Sequence, residues 1–122
     1  MFYRRLYAGS WVHAEARPFK NEFDLRDDDT GLSVFIESRC TAADVIEDGG
    51  DGAGLVLFVY EDISPCFGAY RSEEHTNPNL QAAHVELRLR ADPSKRRFPN
   101  SKLRRLAELA GLGLVVMPAP KK

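Results

Sequence analysis

Gly49-Gly50-Asp51-Gly52-Ala53-Gly54-Leu55-Val56-Leu57-Phe58-Val59-Tyr60 is the stretch on which the fold turns. Six glycine-rich residues lead directly into the longest apolar run of the chain, Leu55 to Tyr60. A run that is apolar at both parities and this short reads as a strand covered on both faces. It falls far below the roughly 20 residues that span a bilayer, so no membrane association is expected from it. This run is expected to be the central strand of a sheet.

Other strands follow on either side. Leu32-Ser33-Val34-Phe35-Ile36 is compact, with β-branched and aromatic content, and Phe67 to Arg71 reads as a short strand. Ala83, Val85, Leu87 and Leu89 alternate with His84, Glu86, Arg88 and Arg90, which predicts one buried face and one that is wet or contacts a partner. Leu112 to Met117 reads as a last strand ended by Pro118 and Pro120. Phe2 to Ala8 places the adjacent Arg4 and Arg5 on opposite faces, an arrangement best tolerated at a sheet edge.

Helix signals are fewer. Thr41 followed by Ala42, Ala43 and Asp44 resembles a capping box, and predicts a short helix that ends by Gly49. Asn100 or Ser101 is placed to cap a second helix, with Leu103, Leu106, Ala107 and Ala110 on one side and Gly111 as its stop. Asp62 to Pro65 reads as a turn or single helical turn, and Asn77-Pro78-Asn79 as a loop. Gly9 to Arg26 has no clean period and is expected to be extended loop anchored by Trp11, Phe19 and Phe23. Strands and helices without regular βαβ alternation predict an α+β fold: a single small domain over 1–117, a mixed, mostly antiparallel sheet with about two helices on one side of it, and a frayed tail over 118–122.

The 122 residues suffice for one core, and 43% hydrophobic with 29% charged residues is an ordinary globular composition. A net charge of -1 gives no overall field toward nucleic acid or an anionic membrane. Cys40 and Cys66 are too few for a disulfide framework and lack zinc-site spacing, so they read as reduced thiols, with one disulfide as the alternative. Arg4 and Arg5 near the start are followed by His13, Glu15 and Arg17 instead of the apolar stretch of an export signal, and the expected compartment is the cytoplasm.

Several patterns invite chemistry, each with a plainer reading beside it. The glycines before Leu55 precede a strand and lack a following Gly-Lys-Ser/Thr, which is the reverse of a phosphate loop and fits a flexible connector. His84 and Glu86 have the His-x-Glu spacing of zinc deaminases, but no downstream Pro-Cys-x-x-Cys completes it. Asp24, Asp27, Asp28 and Asp29 lack the interleaved ligands of a calcium loop, so neither a metal nor a cofactor is called for. Cys66 follows a proline without a base beside it. Lys95, Arg96, Arg97, Lys102, Arg104 and Arg105 surround Phe98, the combination that neutralises phosphates and stacks on a base; the plainer reading is a solubilising helix face.

Arg17-Pro18-Phe19, the acidic turn, Gly31-Leu32-Ser33-Val34 and the strand around His84 together resemble a group of small uncharacterised bacterial proteins, a resemblance that brings no activity with it. Arg5, Ser33 and Glu86 also bear a more distant similarity to small ADP-ribosyltransferase-like folds, which would imply NAD held in a split sheet. Three functions follow as expectations. The leading one is a non-catalytic bacterial accessory protein that binds a protein partner through the polar strand face, with Arg88 and Arg90, or through the basic helix region. The second is a small nucleotide- or NAD-using enzyme with Arg5, Ser33, His84 and Glu86 around one pocket. The third is nucleic-acid binding through 95–105.

Overall fold

The computed structural model describes residues 1–25, 29–72, 75–95 and 97–120. Six strands make one sheet: β1 (Phe2–Leu6), β4 (Leu32–Ile36), β5 (Gly54–Phe58), β6 (Phe67–Arg71), β7 (His84–Leu89) and β8 (Leu114–Val116), in the order β6-β7-β4-β1-β5-β8. Every pairing in it is antiparallel. The two-residue strands β2 (Trp11–Val12) and β3 (Arg17–Pro18) pair separately, within the segment expected to be loop. The helices are α1 (Ala42–Asp48), α2 (Tyr60–Ile63), α3 (Pro78–Gln81) and α4 (Asn100–Leu112). This is the α+β domain with a mostly antiparallel sheet that the pattern predicts.

Alternation along the strands divides the core in two. Phe2, Leu6, Val34, Val56, Phe58 and Leu87 pack beneath α4. On the opposite face Phe35 and Leu55 pack with Val45 of α1 and Leu80 of α3. The helices therefore cover both faces, where one was expected. That is why Leu55 to Phe58 is apolar at both parities: neither face of β5 meets water at Leu55, Val56 or Phe58.

Other positions differ from expectation for local reasons. β1 lies between β4 and β5, not at an edge, and the two arginines that suggested an edge leave the sheet on opposite faces. β5 is interior but has only β8 beyond it, so β1 and β4 hold the middle. The segment 77–79 is not loop. Asn77 Oδ1 accepts from Asn79 N at 3.0 Å and Pro78 occupies the first turn of α3, where its missing N–H costs nothing. Thr41 caps α1 as its spacing predicts, accepting from Asp44 N at 3.1 Å. At α4 the N-cap is Pro99, without a side-chain cap, and the helix passes Gly111 to end at Gly113. The tail expected to fray is held as far as Ala119, which accepts from Gly9 N at 2.7 Å and donates to Gly52 O at 2.8 Å. Lys121 and Lys122 lie outside the described residues.

Candidate functional sites

The register puts Arg5, Ser33, His84 and Glu86 on one sheet face. Tyr3 and His84 both stand opposite Phe35, and Ser33 stands directly opposite Glu86, so residues two apart from these share their side. His84 is only 5% exposed. Its Nδ1 lies 3.1 Å from Ser72 O and its Nε2 3.0 Å from Ser33 Oγ. A carbonyl only accepts, so Nδ1 carries the proton and Nε2 accepts from the Ser33 hydroxyl.

A second histidine adjoins this pair. The His75 and His84 rings are 5.1 Å apart, and both pack on Phe35. His75 Nδ1 accepts from Asn77 N at 3.1 Å, which turns Nε2 toward Asp48 Oδ2, 3.6 Å away. Asp48 also pairs with Arg5, whose guanidinium carbon lies 6.0 Å from the Tyr7 ring centroid and 5.9 Å from that of Phe35. Burial, reinforced by His75, pulls the His84 pKa below its ordinary value, against the opposing pull of the Ser72 carbonyl and Glu86.

This shift has a measurable consequence. The unfolded chain takes up the His84 proton near pH 6.5, before the folded chain does, so stability from this group is complete above that pH and lost as pH falls toward the folded value. Urea denaturation between pH 7.5 and 5 is expected to show a decline of at most about 1.4 kcal/mol per pH unit from this proton. His84→Gln should flatten the decline. An unchanged slope in that variant would assign it to another group.

Glu86 is held differently. Burial pushes its pKa up, but hydrogen bonds from Thr30 and Arg88 outweigh that and leave it lowered. Thr30 Oγ1 reaches both carboxylate oxygens at 2.7 and 2.8 Å, and Arg88 Nη2 donates at 3.0 Å while its guanidinium covers Tyr70. Arg90 donates to the Ser64 and Phe67 carbonyls. The polar strand face expected to be wet or to meet a partner thus spends most of its polar groups on its own chain.

The sheet opens beside Ser33. β1 pairs with β4 only at Phe2 and Tyr3, although it pairs with β5 through Leu6. The Arg4 side chain enters this split, and its Nη1 donates to Ser33 O at 2.9 Å. A cleft of about 310 Å³ results, with Arg4, Arg5, Tyr7, Glu22, Asp29 and Ser33 among its lining. Arg5 and Ser33 reach it, whereas His84 and Glu86 lie outside its lining. Burial pulls the Arg4 pKa down, opposed first by Glu22. Arg4, Asp48, His75 and Ser72 escaped sequence reasoning. A charge at Arg4 within an apolar strand was the available signal; nothing local marked the other three.

The basic residues do not form one surface. Arg88 belongs to β7 and Arg90 follows its end, while Lys102, Arg104 and Arg105 ride on α4, which covers the opposite sheet face. Lys102 Nζ is 3.2 Å from Cys66 Sγ, Arg97 is 3.8 Å from Asp24, and Arg105 is 3.8 Å from Glu108. Lys95 and Arg104 are exposed; Arg96, like Asp27 and Asp28 of the acidic turn, lies outside the described residues. Cys40 and Cys66 are free, each half-buried and packed on a different core cluster. Among the described residues no group of three or more potential ligands is placed to hold a metal, and no helix is long and apolar enough to cross a membrane.

A different surface stands out at the far edge. β8 is an outermost strand, and Leu114, Val115, Val116 and Met117 are all exposed, with Leu112 86% exposed at the end of α4. No charged residue occurs between Leu109 and Pro120. Edge strands are commonly guarded by charge, and this one carries none.

No family model, curated protein or solved structure matches the chain.

Proposed function

We propose that this chain is a protein-binding module that takes an extended apolar segment of its partner along the edge of β8. The observation that carries the reading is the uncharged, exposed run from Leu112 to Met117 on an outermost strand. Main-chain groups at such an edge supply affinity, and side chains on alternate faces of the added strand supply selection. The partner segment is apolar because no charge within this surface would compensate one brought to it. Pairing of β8 with a second copy would join two strands of only three residues. So short a shared ladder favours a partner whose chain continues past the strand.

The same reading replaces the polar face of β7 and the basic residues of α4 as docking surfaces. A photo-cross-linking residue at position 115, with one at position 104 as control, tests it in the native cell. Capture through an extended apolar segment at 115 alone is expected. A synthetic peptide of that segment should then bind the purified protein, and Val115→Lys should weaken it at least about tenfold, equivalent to 1.4 kcal/mol. Cross-links only between copies, or equal capture from 104, would refute it.

A further inference from the structure

We propose that Ser33 is a nucleophile activated by His84, and that the split between β1 and β4 admits a carboxylic ester to it. A nucleophile, a base within hydrogen-bond reach and a third group that orients the base define the arrangement of nucleophilic catalysis. Ser33 Oγ, His84 Nε2 and Ser72 O meet that requirement at 3.0 and 3.1 Å. Ser33 is only partly buried and lines the cleft, whereas His84 is buried and does not. Arg5 shares the sheet face with Ser33 and lines the same cleft, a cation on the side where negative charge develops on the ester oxygen.

The groups around His84 keep its Nε2 available. His75, from the segment before α3, and Arg5, from β1, disfavour the charged ring, whereas Glu86 on β7 and the Ser72 carbonyl favour it; burial leaves the imidazole neutral at neutral pH. Asp48 of α1 holds Arg5 and faces His75 Nε2, fixing both neighbours.

The steps balance without a further reagent. Ser33 Oγ bonds to the carbonyl carbon as its proton passes to His84 Nε2. The carbon–oxygen bond to the alcohol breaks, the alcohol departs with that proton, and the acyl group remains on Ser33. Water then attacks the acyl carbon and gives a proton to Nε2; the bond to Ser33 Oγ breaks, Oγ regains the proton, and the carboxylic acid leaves.

A fluorophosphonate ester and the intact-protein mass provide the test. One adduct, mapped to Ser33 and absent from Ser33→Ala, is expected. His84→Gln should slow its formation at least about 100-fold, the usual scale for a lost general base. Should that variant fold poorly, the unaltered protein still decides. Its labelling rate should climb once with pH as His84 loses its proton, with a midpoint below the ordinary value near 6.5. Absence of an adduct on the folded protein, an adduct that survives Ser33→Ala, or a rate that ignores pH would each overturn the proposal.

Discussion

Phe23→Ala is expected to destabilise the protein by about 3–5 kcal/mol, whereas Phe19→Ala should change stability by no more than about 0.5 kcal/mol. The two rings are four residues apart in the segment before β4 and look alike as anchors in the sequence. Phe23 is fully buried and meets Phe58 edge to face, with ring centroids 6.0 Å apart. It closes the short helical turn Lys20–Phe23, which packs beside α4, so its removal leaves a cavity between that turn, β5 and α4. Phe19 is 51% exposed and buries too little to matter on this scale. Urea denaturation of both variants, followed by circular dichroism, measures the difference. A loss at Phe23 below about 1 kcal/mol would mean that this turn peels away without disturbing the sheet.

That contrast also marks how far the sequence could be read. Where one residue type has one physical solution, the reading held: Leu32–Ile36 and Phe67–Arg71 are strands with the expected bounds, and Thr41 caps α1. It failed where a side chain's fate depends on distant chain. The charges at Arg4 and Arg5 argued for an edge, yet each guanidinium finds partners contributed by other segments, Ser33 and Glu22 for one and Asp48 for the other. Alternation placed His84 with Glu86 and Arg88 correctly on one face, but the face was expected to be wet at a position that proves buried. Ser72 and His75, in the segment between β6 and α3, supply what makes burial tolerable there, and no local period announces such a contact. The residues expected around one pocket share a sheet face for a reason alternation does disclose; the opening beside them comes from β1 leaving β4 after two pairs, which strand patterns do not encode.

Gly113→Ala is expected to cost about 3 kcal/mol or more and to unseat β8 while the rest of the sheet persists. Glycine to alanine just after a helix ordinarily helps by about 0.4–1 kcal/mol when the backbone conformation permits, because the unfolded chain loses freedom. Here φ is -107°, which any residue adopts, so conformation alone predicts stabilisation. Space decides otherwise. A methyl group at 113 would stand 2.0 Å from Leu57 O and 3.0 Å from Leu57 C, and both are backbone atoms within β5 that no rotamer change can move. Relief requires the end of α4 and the start of β8 to lift, which breaks the 2.7 Å bond from Leu57 N to Gly113 O. Gly50 makes a useful comparison, since a methyl there meets nothing within 4 Å and suffers only from φ of 83°, a cost of about 1–2 kcal/mol. Hydrogen exchange should therefore accelerate at the β5 and β8 amides in Gly113→Ala and not in Gly50→Ala. Because β8 is the proposed docking strand, the same variant should lose partner binding at temperatures where its circular dichroism is still native. Binding retained together with fast exchange at β8 would mean that partner recognition does not use this edge.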